Sequence, residues 1–272
     1  MKLIDLANPF DAPVYHEEAV DSTMDCCRAL AAEGAAHGTV ILADFQEKGR
    51  GRQGRPWKTE KGQNLMFTVL LRYPEFCDIP MAISLRTGLA AALAIEEFVP
   101  ALAGSVLVKW PNDVMLGTAS LAKKTAGILV ESESANVYIG IGVNLLQRFF
   151  PNDLEDKAAS ILSFFARNFP GQELPLPLTK KEAPLLLLEK ILAFLHSELT
   201  YPKAPEESTW KKRLETKLYK YGESVIFAEG ASDSQKFTHG RLEGIGEGGE
   251  LIIIPEGKTK PMHFMNGELR VY

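Results

Sequence analysis

The segment KGRGRQGRPW, from Lys48 to Trp57, places four cationic side chains and three glycines within ten residues. Glycine lets a backbone turn its amide groups toward an anion, and arginine offers a planar fork of donors to carboxylate or phosphate. The segment therefore predicts a loop that binds phosphate, carboxylate or both. The same residues are also compatible with a solvated basic loop that binds RNA loosely, in which Trp57 stacks on a base or simply joins the core.

A second polar group follows the apolar run VLVKW. Asn112 and Asp113 come directly after Pro111, and proline stops strand pairing. The polar pair is therefore expected at the end of a strand, where sites in α/β sheets often form. A plain turn that begins at Pro111 accounts for the same residues, because turns favour Asn and Asp.

A third group combines lysines with an apolar strand. Lys123 and Lys124 precede TAGILVE, whose Gly127 permits a close approach to the backbone. A lysine at the edge of a dry cleft can stabilise charge on a phosphoryl or acyl-phosphate group, although surface lysines are far commoner. IGIGVN ends in Asn144, whose amide could contact an adenine or a ribose, or the segment could be a sheet packed tightly on a helix.

The elements that must position these groups alternate irregularly along the chain. Residues 22–34 and 81–98 and a segment from Ala183 are predicted helices. Predicted strands are GTVILADFQ, NLMFTVLLRY, SVLVKW, TAGILVES and VYIGIGVN. The proline-rich residues 170–184 are predicted as a loop. Because the strands cluster, we predict an α/β fold with a mixed sheet, not a regular βαβ winding.

After Lys217 the composition changes to short apolar runs joined by glycine-containing turns. Four or five strands of this kind predict a small antiparallel barrel. We therefore predict two domains, a catalytic one over residues 1–216 and a small one over residues 217–272.

Composition narrows the class of protein. The 272 residues are 46% hydrophobic and 24% charged, with a formal net charge of −5, which is typical of a globular protein and disfavours broad nucleic-acid binding. Three cysteines, two of them adjacent, do not form a disulfide framework. We find no apolar run of about 18 residues and no signal peptide, so we expect a cytoplasmic protein without a membrane span.

Taken in order, five motifs resemble those of the biotin protein ligases: GRGRQGRPW, GQNL, KWPNDV, KTAGILVE and GIGVN. The resemblance runs from Asp21 to the C-terminal GELRVY. It implies a mixed-sheet biotin/lipoate ligase-like catalytic domain with a small C-terminal SH3-like β-barrel. It also implies ATP-dependent activation of biotin to biotinyl-5′-AMP, followed by transfer to a lysine of a biotin carboxyl carrier domain.

The resemblance assigns roles to individual residues. It implies biotin contacts from Ser22, Thr23, Gln46, Gly49, Arg50, Lys124 and Gly127. It implies ATP contacts from Arg52, Arg55, Trp57, Lys109, Asn112, Asp113 and Asn144. Catalysis would rest on Lys124, Arg52 and Arg50, with Lys124 bridging the biotin carboxylate and the α-phosphate and with Lys123 as the alternative. Mg²⁺ is implied as a cofactor without assigned metal ligands.

Three departures stand out: Met24 where asparagine is common, Thr68 where serine is common, and a longer connection from Asp113 to Lys124. The resemblance implies a carboxylase carrier protein as partner and leaves a homodimer open. With only twenty residues before DSTM, we expect no DNA-binding domain. The related lipoate ligases typically carry an arginine and three glycines in a segment that is absent here.

Overall fold

Eight strands form one mixed sheet in the computed structural model, which describes residues 1–118, 120–200, 209–230 and 235–270. The strands are β1 (Lys2–Ile4), β2 (Val14–Glu17), β3 (Val40–Ala43), β4 (Leu65–Arg72), β5 (Val106–Lys109), β6 (Asp113–Gly117), β7 (Ala122–Glu133) and β8 (Asn136–Val143). Their order across the sheet is β1-β2-β3-β4-β8-β7-β6-β5. The pair β2–β3 is parallel and the other pairs are antiparallel, which confirms the predicted mixed sheet.

Helices cover both faces of this sheet. They are α1 (Thr23–Ala32), α2 (Ile83–Phe98), α3 (Ile161–Asn168), α4 (Leu176–Thr179), α5 (Ala183–Thr200) and α6 (Trp210–Glu215). The apolar helices α2 and α5 pack on each other and on one face, where they bury the main hydrophobic core. Helix α1 packs on the opposite face over β3, β4 and β8. A smaller cluster around Met24, Cys27 and Tyr138 holds it there.

The central strands β7 and β8 differ sharply between their two faces. Ile128, Ile139 and Ile141 alternate toward the α2 side and are almost fully buried. The intervening positions on the other face include Gly140 and Gly142, which have no side chain to fill the space. Since side chains along a strand alternate between faces, the sequence IGIGV packs one face and leaves room on the other. That room becomes the site described below.

The C-terminal strands form a separate antiparallel sheet, as predicted. They are β9 (Ser224–Glu229), β10 (Lys236–Ile245), β11 (Leu251–Pro255), β12 (Met262–Phe264) and β13 (Glu268–Leu269), in the order β12-β11-β10-β9-β13. This five-stranded unit is consistent with the expected SH3-like domain. The predicted small domain also includes Val271 and Tyr272, which lie outside the described residues.

The two sheets share a continuous apolar core that includes Trp110 and Phe227. The Trp110 indole Nε1 donates to the Gly249 carbonyl oxygen at 2.9 Å, and its ring lies 5.8 Å from that of Phe227. At the edge of the large sheet, Val108 exchanges backbone hydrogen bonds with Lys217 and Tyr219. A division of the chain at residues 216 and 217 remains a prediction.

Some elements differ from the sequence prediction. The sequence predicts Asn112 and Asp113 at the end of a strand, with a turn from Pro111 as the alternative, and no strand directly after them, whereas Asp113 begins β6 and pairs through to Gly117. The proline-rich loop contains the single turn α4, and the strands β1 and β2 and the helix α3 were not predicted. These elements are short, so their periodicity in the sequence is weak.

One stretch, Phe76–Phe98, is long and apolar enough by length and composition to cross a membrane. It ends in α2, where Leu89, Ala92 and Ile95 have no exposed surface and belong to the main core. A core position between the sheet and α5 accounts for this apolar character.

Candidate active site

A β-bulge decides which lysine faces the open side of the sheet. Val114 pairs with Ala126, but the next residue, Met115, pairs with Lys124, so Thr125 is an extra residue in β7. Strict alternation from Gly127 would place Lys123 on its face. The extra residue shifts the alternation by one, and Lys124 lies beside Gly127 instead.

The two lysines accordingly have different surroundings. Lys124 Nζ lies 2.6 Å from Asp113 Oδ1 and 5.4 Å from the centre of the Trp57 ring. Lys123 Nζ donates to the Glu155 carbonyl oxygen at 2.6 Å and lies 3.9 Å from Asp156 Oδ1. The longer connection from Asp113 to Lys124 consists largely of paired strand, because β6 pairs from Asp113 to Gly117 with β7 from Gly127 back to Ala122, and Ala119 lies outside the described residues.

Two glycines that pair across β7 and β8 form a slot for Trp57. Gly127 pairs with Gly142, and the indole lies over both. A Cβ atom at Gly142 would come within 2.7 Å of the Trp57 ring, and one at Gly127 within 3.1 Å of it. Only glycine therefore fits beneath the indole in this arrangement.

A buried chain of hydroxyl and amide groups lies further along the same face. The Thr23 backbone N–H and hydroxyl both donate to Gln46 Oε1, at 2.8 Å and 3.1 Å. The Thr23 hydroxyl lies 2.9 Å from that of Thr68, and since it donates its one proton to Gln46, Thr68 donates to it. Ser22 is also buried, and Met24 packs over Gly140. Apart from Arg50, whose Nη1 lies 3.5 Å from the Ser22 hydroxyl oxygen, this end of the site offers polar groups without charge.

Cationic and polar groups follow at the β5–β6 corner. Lys109 is 5% exposed, and burial lowers the pKa of its ammonium against the opposing effect of Asp113. Asn112 donates to the Ile128 carbonyl oxygen at 2.7 Å and accepts from Arg52 Nη1 at 3.3 Å. A buried ammonium of this kind gains strongly from an added anion.

The arginine-rich segment folds as a short hairpin over the open face. Gly51 N donates to the Arg55 carbonyl oxygen at 2.8 Å, and Trp57 N donates to the Gly49 carbonyl oxygen at 2.9 Å. At its tip, Gln53 adopts a φ of 57° and Gly54 a φ of 69°. This turn points arginines into the site from above.

The tip of the hairpin contacts the C-terminal sheet. Arg55 Nη2 lies 3.3 Å from Glu268 Oε2. Burial alone would raise the pKa of the Glu268 carboxyl, but Lys109, Arg55 and Arg270 together hold it below its ordinary value. The small sheet therefore closes one side of the site.

A buried amide network holds the segment after β8. Asn64 Nδ2 donates to Gln147 Oε1 at 2.8 Å, and Asn64 Oδ1 accepts from the Leu145 N–H at 3.1 Å. The Ser160 hydroxyl donates to the Gln147 carbonyl oxygen at 2.6 Å. The Asn144 N–H donates to the carbonyl oxygen of Thr125, at the bulge. The GQNL and GIGVN motifs thus brace each other.

These groups surround one cavity of about 600 Å³. Among the described residues that line it, seven are cations and two are anions: Arg50, Arg52, Arg55, Lys58, Lys109, Lys124 and Lys157, against Asp113 and Glu268. The lining thus carries a formal charge of +5, whereas the whole chain carries −5. The concentration of positive charge in a cleft selects an anionic ligand.

Thirteen of the fourteen residues predicted from the sequence line this cavity. Gly49 does not, because it packs against Gln46 and the Trp57 backbone on the outer side of the hairpin. Gly140, Gly142 and Lys157 also line the cavity and were not predicted from the sequence. A two-residue period from Gly142 would have indicated Gly140, but no local pattern indicates Lys157.

Comparison with known proteins identifies the family. Residues 17–144 match the family model for biotin/lipoate A/B protein ligases. The biotin–[acetyl-CoA-carboxylase] ligase of Paracoccus denitrificans is 32% identical over 231 residues, which cover 82% of this chain and 86% of the relative. This chain belongs to the biotin–[acetyl-CoA-carboxylase] ligase family.

Other biotin ligases match this chain over different lengths. The bifunctional ligase/repressor BirA of Bacillus spizizenii is 35% identical over 156 residues, and the match spans 54% of this chain but only 46% of that protein. The biotin protein ligase of Aquifex aeolicus, solved in complex with biotin and ATP, superposes with a TM-score of 0.70 at 27% identity and covers 94% of this chain and 97% of that one.

Proposed function

We propose that this chain activates biotin with ATP to biotinyl-5′-AMP and passes the biotinyl group to a lysine of a biotin carboxyl carrier domain. The observation that carries the proposal is the juxtaposition of a neutral polar end and a cationic end in one cavity. Gly140, beside the Thr68 hydroxyl, and Gly142, beneath Trp57, are two residues apart on one strand. That spacing is about 7 Å, which suits a ligand with a polar head and a carboxylate tail.

At the neutral end, Ser22, Thr23 and Gln46 would hydrogen-bond the ureido ring of biotin. A buried polar head needs matched partners, because an unpaired group costs about 1–3 kcal/mol. Met24 and the bare backbone of Gly140 would border the ring. Leu129, which pairs with Gly140 on the same face, also lines the cavity and would contact the apolar part of the ligand.

At the cationic end, Lys124 would lie between the biotin carboxylate and the α-phosphate of ATP. The carboxylate oxygen attacks phosphorus, the new C–O–P bond forms, and pyrophosphate leaves. The attack brings two anions together, and fixed cations that already surround the position offset their repulsion. Arg52, Arg55 and Lys109 would bind the phosphates, while Trp57 and Asn144 would contact the adenosine.

Mg²⁺ fits the donors at the β5–β6 corner. Mg²⁺ in nucleotide sites takes one or two carboxylates together with phosphate oxygens and waters. Asp113 supplies a carboxylate there and Asn112 an amide oxygen. When bound, the ion would withdraw charge from the phosphates, and these two side chains would hold it.

In the second step the acceptor lysine attacks the biotinyl carbonyl, and AMP leaves with the bonding electrons. The adenylate is hydrolysable, so the hairpin that covers the cavity would protect it from water. The contact of Arg55 with Glu268 places the C-terminal sheet beside the same opening. This sheet would therefore contribute to ATP or carrier binding.

The test is a reconstituted transfer. Purified chain, biotin, ATP and a biotin carboxyl carrier domain should yield carrier that mass spectrometry shows to be biotinylated at one lysine. A carrier variant with arginine at that lysine is the matched control and should gain nothing. Absence of modification by the folded enzyme, with a carrier that a known biotin ligase does modify, would refute the proposal.

A further inference from the structure

Arg50 lines the cavity, yet the chain's own carboxylates already occupy its guanidinium. Nη1 and Nη2 lie 2.8 Å and 2.7 Å from the two oxygens of Asp25, which is in the first turn of α1. Nε lies 3.7 Å from Glu131 Oε1. This paired fork is the geometry in which arginine binds a carboxylate ligand.

The surroundings of Arg50 differ from the rest of the cavity in charge. Glu131 also pairs with Arg28 at 2.6 Å, and Arg28 lies 3.3 Å from Glu133. Two arginines and three carboxylates thus leave this cluster with a net charge of −1, although the cavity lining as a whole carries +5. An approaching anion gains little from Arg50 while the cluster is intact.

Arg52, two residues along the hairpin, provides the contrast. Its Nη1 donates to the neutral amide oxygen of Asn112 at 3.3 Å, and none of the described carboxylates pairs with it, so within the described part of the chain its charge is available to a ligand. Arg50 holds the pKa of the Asp25 carboxyl below its ordinary value, mainly through their hydrogen bonds. The carboxylate therefore stays ionised and competes at neutral pH.

We propose that Asp25 is a positioning residue that holds Arg50 in the ligand-free protein and is replaced there by the carboxylate of the incoming ligand. The proposal rests on the biotin-activating function proposed above. Arg50 then becomes available to the ligand carboxylate only when it leaves Asp25, and the measured affinity is reduced by the fraction of protein in which it is held. The same contact ties the hairpin to α1 while no ligand is bound.

The test compares Asp25→Asn with Asp25→Glu and with Glu33→Gln, an exposed acid at the end of the same helix. Asp25→Asn should bind biotin about 3- to 10-fold more tightly by calorimetry, because a partly exposed pair of this kind is modest in strength. The pyrophosphate exchange rate at saturating biotin should stay unchanged, so the effect appears in KM and not in kcat. Asp25→Glu should bind biotin with the wild-type affinity, because it keeps the carboxylate. Glu33→Gln should also bind biotin with the wild-type affinity.

A second readout needs no ligand. Trypsin should cleave after Arg50 or Arg52 several-fold faster in unliganded Asp25→Asn than in wild type, at equal thermal stability. Weaker biotin binding by Asp25→Asn would show that Asp25 prearranges Arg50 for the ligand. Unchanged biotin binding and unchanged cleavage would show that Asp25 does not restrain Arg50. Either result overturns the inference. If wild type itself fails to bind biotin, the proposed function fails, and cleavage alone still decides whether Asp25 restrains the hairpin.

Discussion

The floor of the cavity and the hairpin above it are held in place by different kinds of interaction. Floor residues Gly127 and Gly142 lie on central strands that are paired on both sides, and Lys124 pairs with Met115 of β6 on one side and with Ala158 on the other. The hairpin is tied down by side chains, through Arg50 with Asp25 and Arg55 with Glu268. The floor geometry is therefore set by folding, whereas the hairpin geometry depends on charges that a ligand can replace.

This difference separates two tasks. Stabilising charge as it develops requires groups that are already in place, because reorganisation during the reaction reduces the benefit. Admitting and enclosing a ligand requires groups that can exchange partners. Lys124 on the bulged strand suits the first task, and the arginines of the hairpin suit the second.

The largest effect should come from the floor. Lys124→Ala should lose about 10²–10³-fold in biotin-dependent pyrophosphate exchange, which is typical for removal of one electrostatic stabiliser, while retaining measurable biotin binding. Lys123→Ala is the matched control, because its ammonium contacts Glu155 and Asp156 away from the cavity, and it should lose far less. The reverse pattern, with circular dichroism unchanged, would show that the bulge does not select the catalytic lysine.

A smaller effect is expected at the neutral end. Gln46→Ala removes the acceptor for Thr23 and a partner for the ligand head, so biotin affinity should fall by about 1–3 kcal/mol. Calorimetry measures this loss directly, and the exposed Gln172→Ala is the control of the same residue type. Unchanged biotin affinity in Gln46→Ala would show that the polar head of the ligand binds elsewhere in the cavity.

Gly142→Ala tests how the hairpin is seated on the floor. The added methyl would lie within 2.7 Å of the Trp57 ring, so the indole must move, at a cost of about 1 kcal/mol or fivefold in ligand affinity. Tryptic cleavage in the hairpin should also accelerate. Gly51→Ala places its methyl 3.6 Å from the nearest atom and should change neither quantity. Equal ligand affinity and equal cleavage rates in the two variants would show that Gly142 is not needed to seat the Trp57 ring.

Thiol labelling should show the smallest effect. Burial raises the pKa of Cys27, on the buried face of α1, to about 12, so at pH 8 almost none of the reactive thiolate is present. Exposed Cys77 should alkylate first, with no change in exchange activity. Peptide mapping by mass spectrometry checks the order, and early labelling of Cys27 would mean that α1 is not firmly packed on the floor.

The motifs in the sequence indicated most of the cavity because each lies within a few residues along the chain. The central strands and the long helices were also predictable from their apolar patterns. The bulge at Thr125 was not, since a one-residue register shift depends on pairing with β6 and leaves no local pattern. Asp25 and Glu268 were missed for a similar reason: each meets its arginine only through tertiary packing, 25 and 213 residues away along the chain.

The central claim is that the cationic floor activates a carboxylate held at its neutral end, and pyrophosphate exchange tests it most directly. Labelled pyrophosphate should enter ATP in the presence of the purified chain, Mg²⁺ and biotin, and should stop when biotin is omitted. No carrier protein is needed, so the result concerns the cavity alone. Exchange that proceeds equally without biotin, or no exchange by folded protein that binds both ligands, would contradict the account.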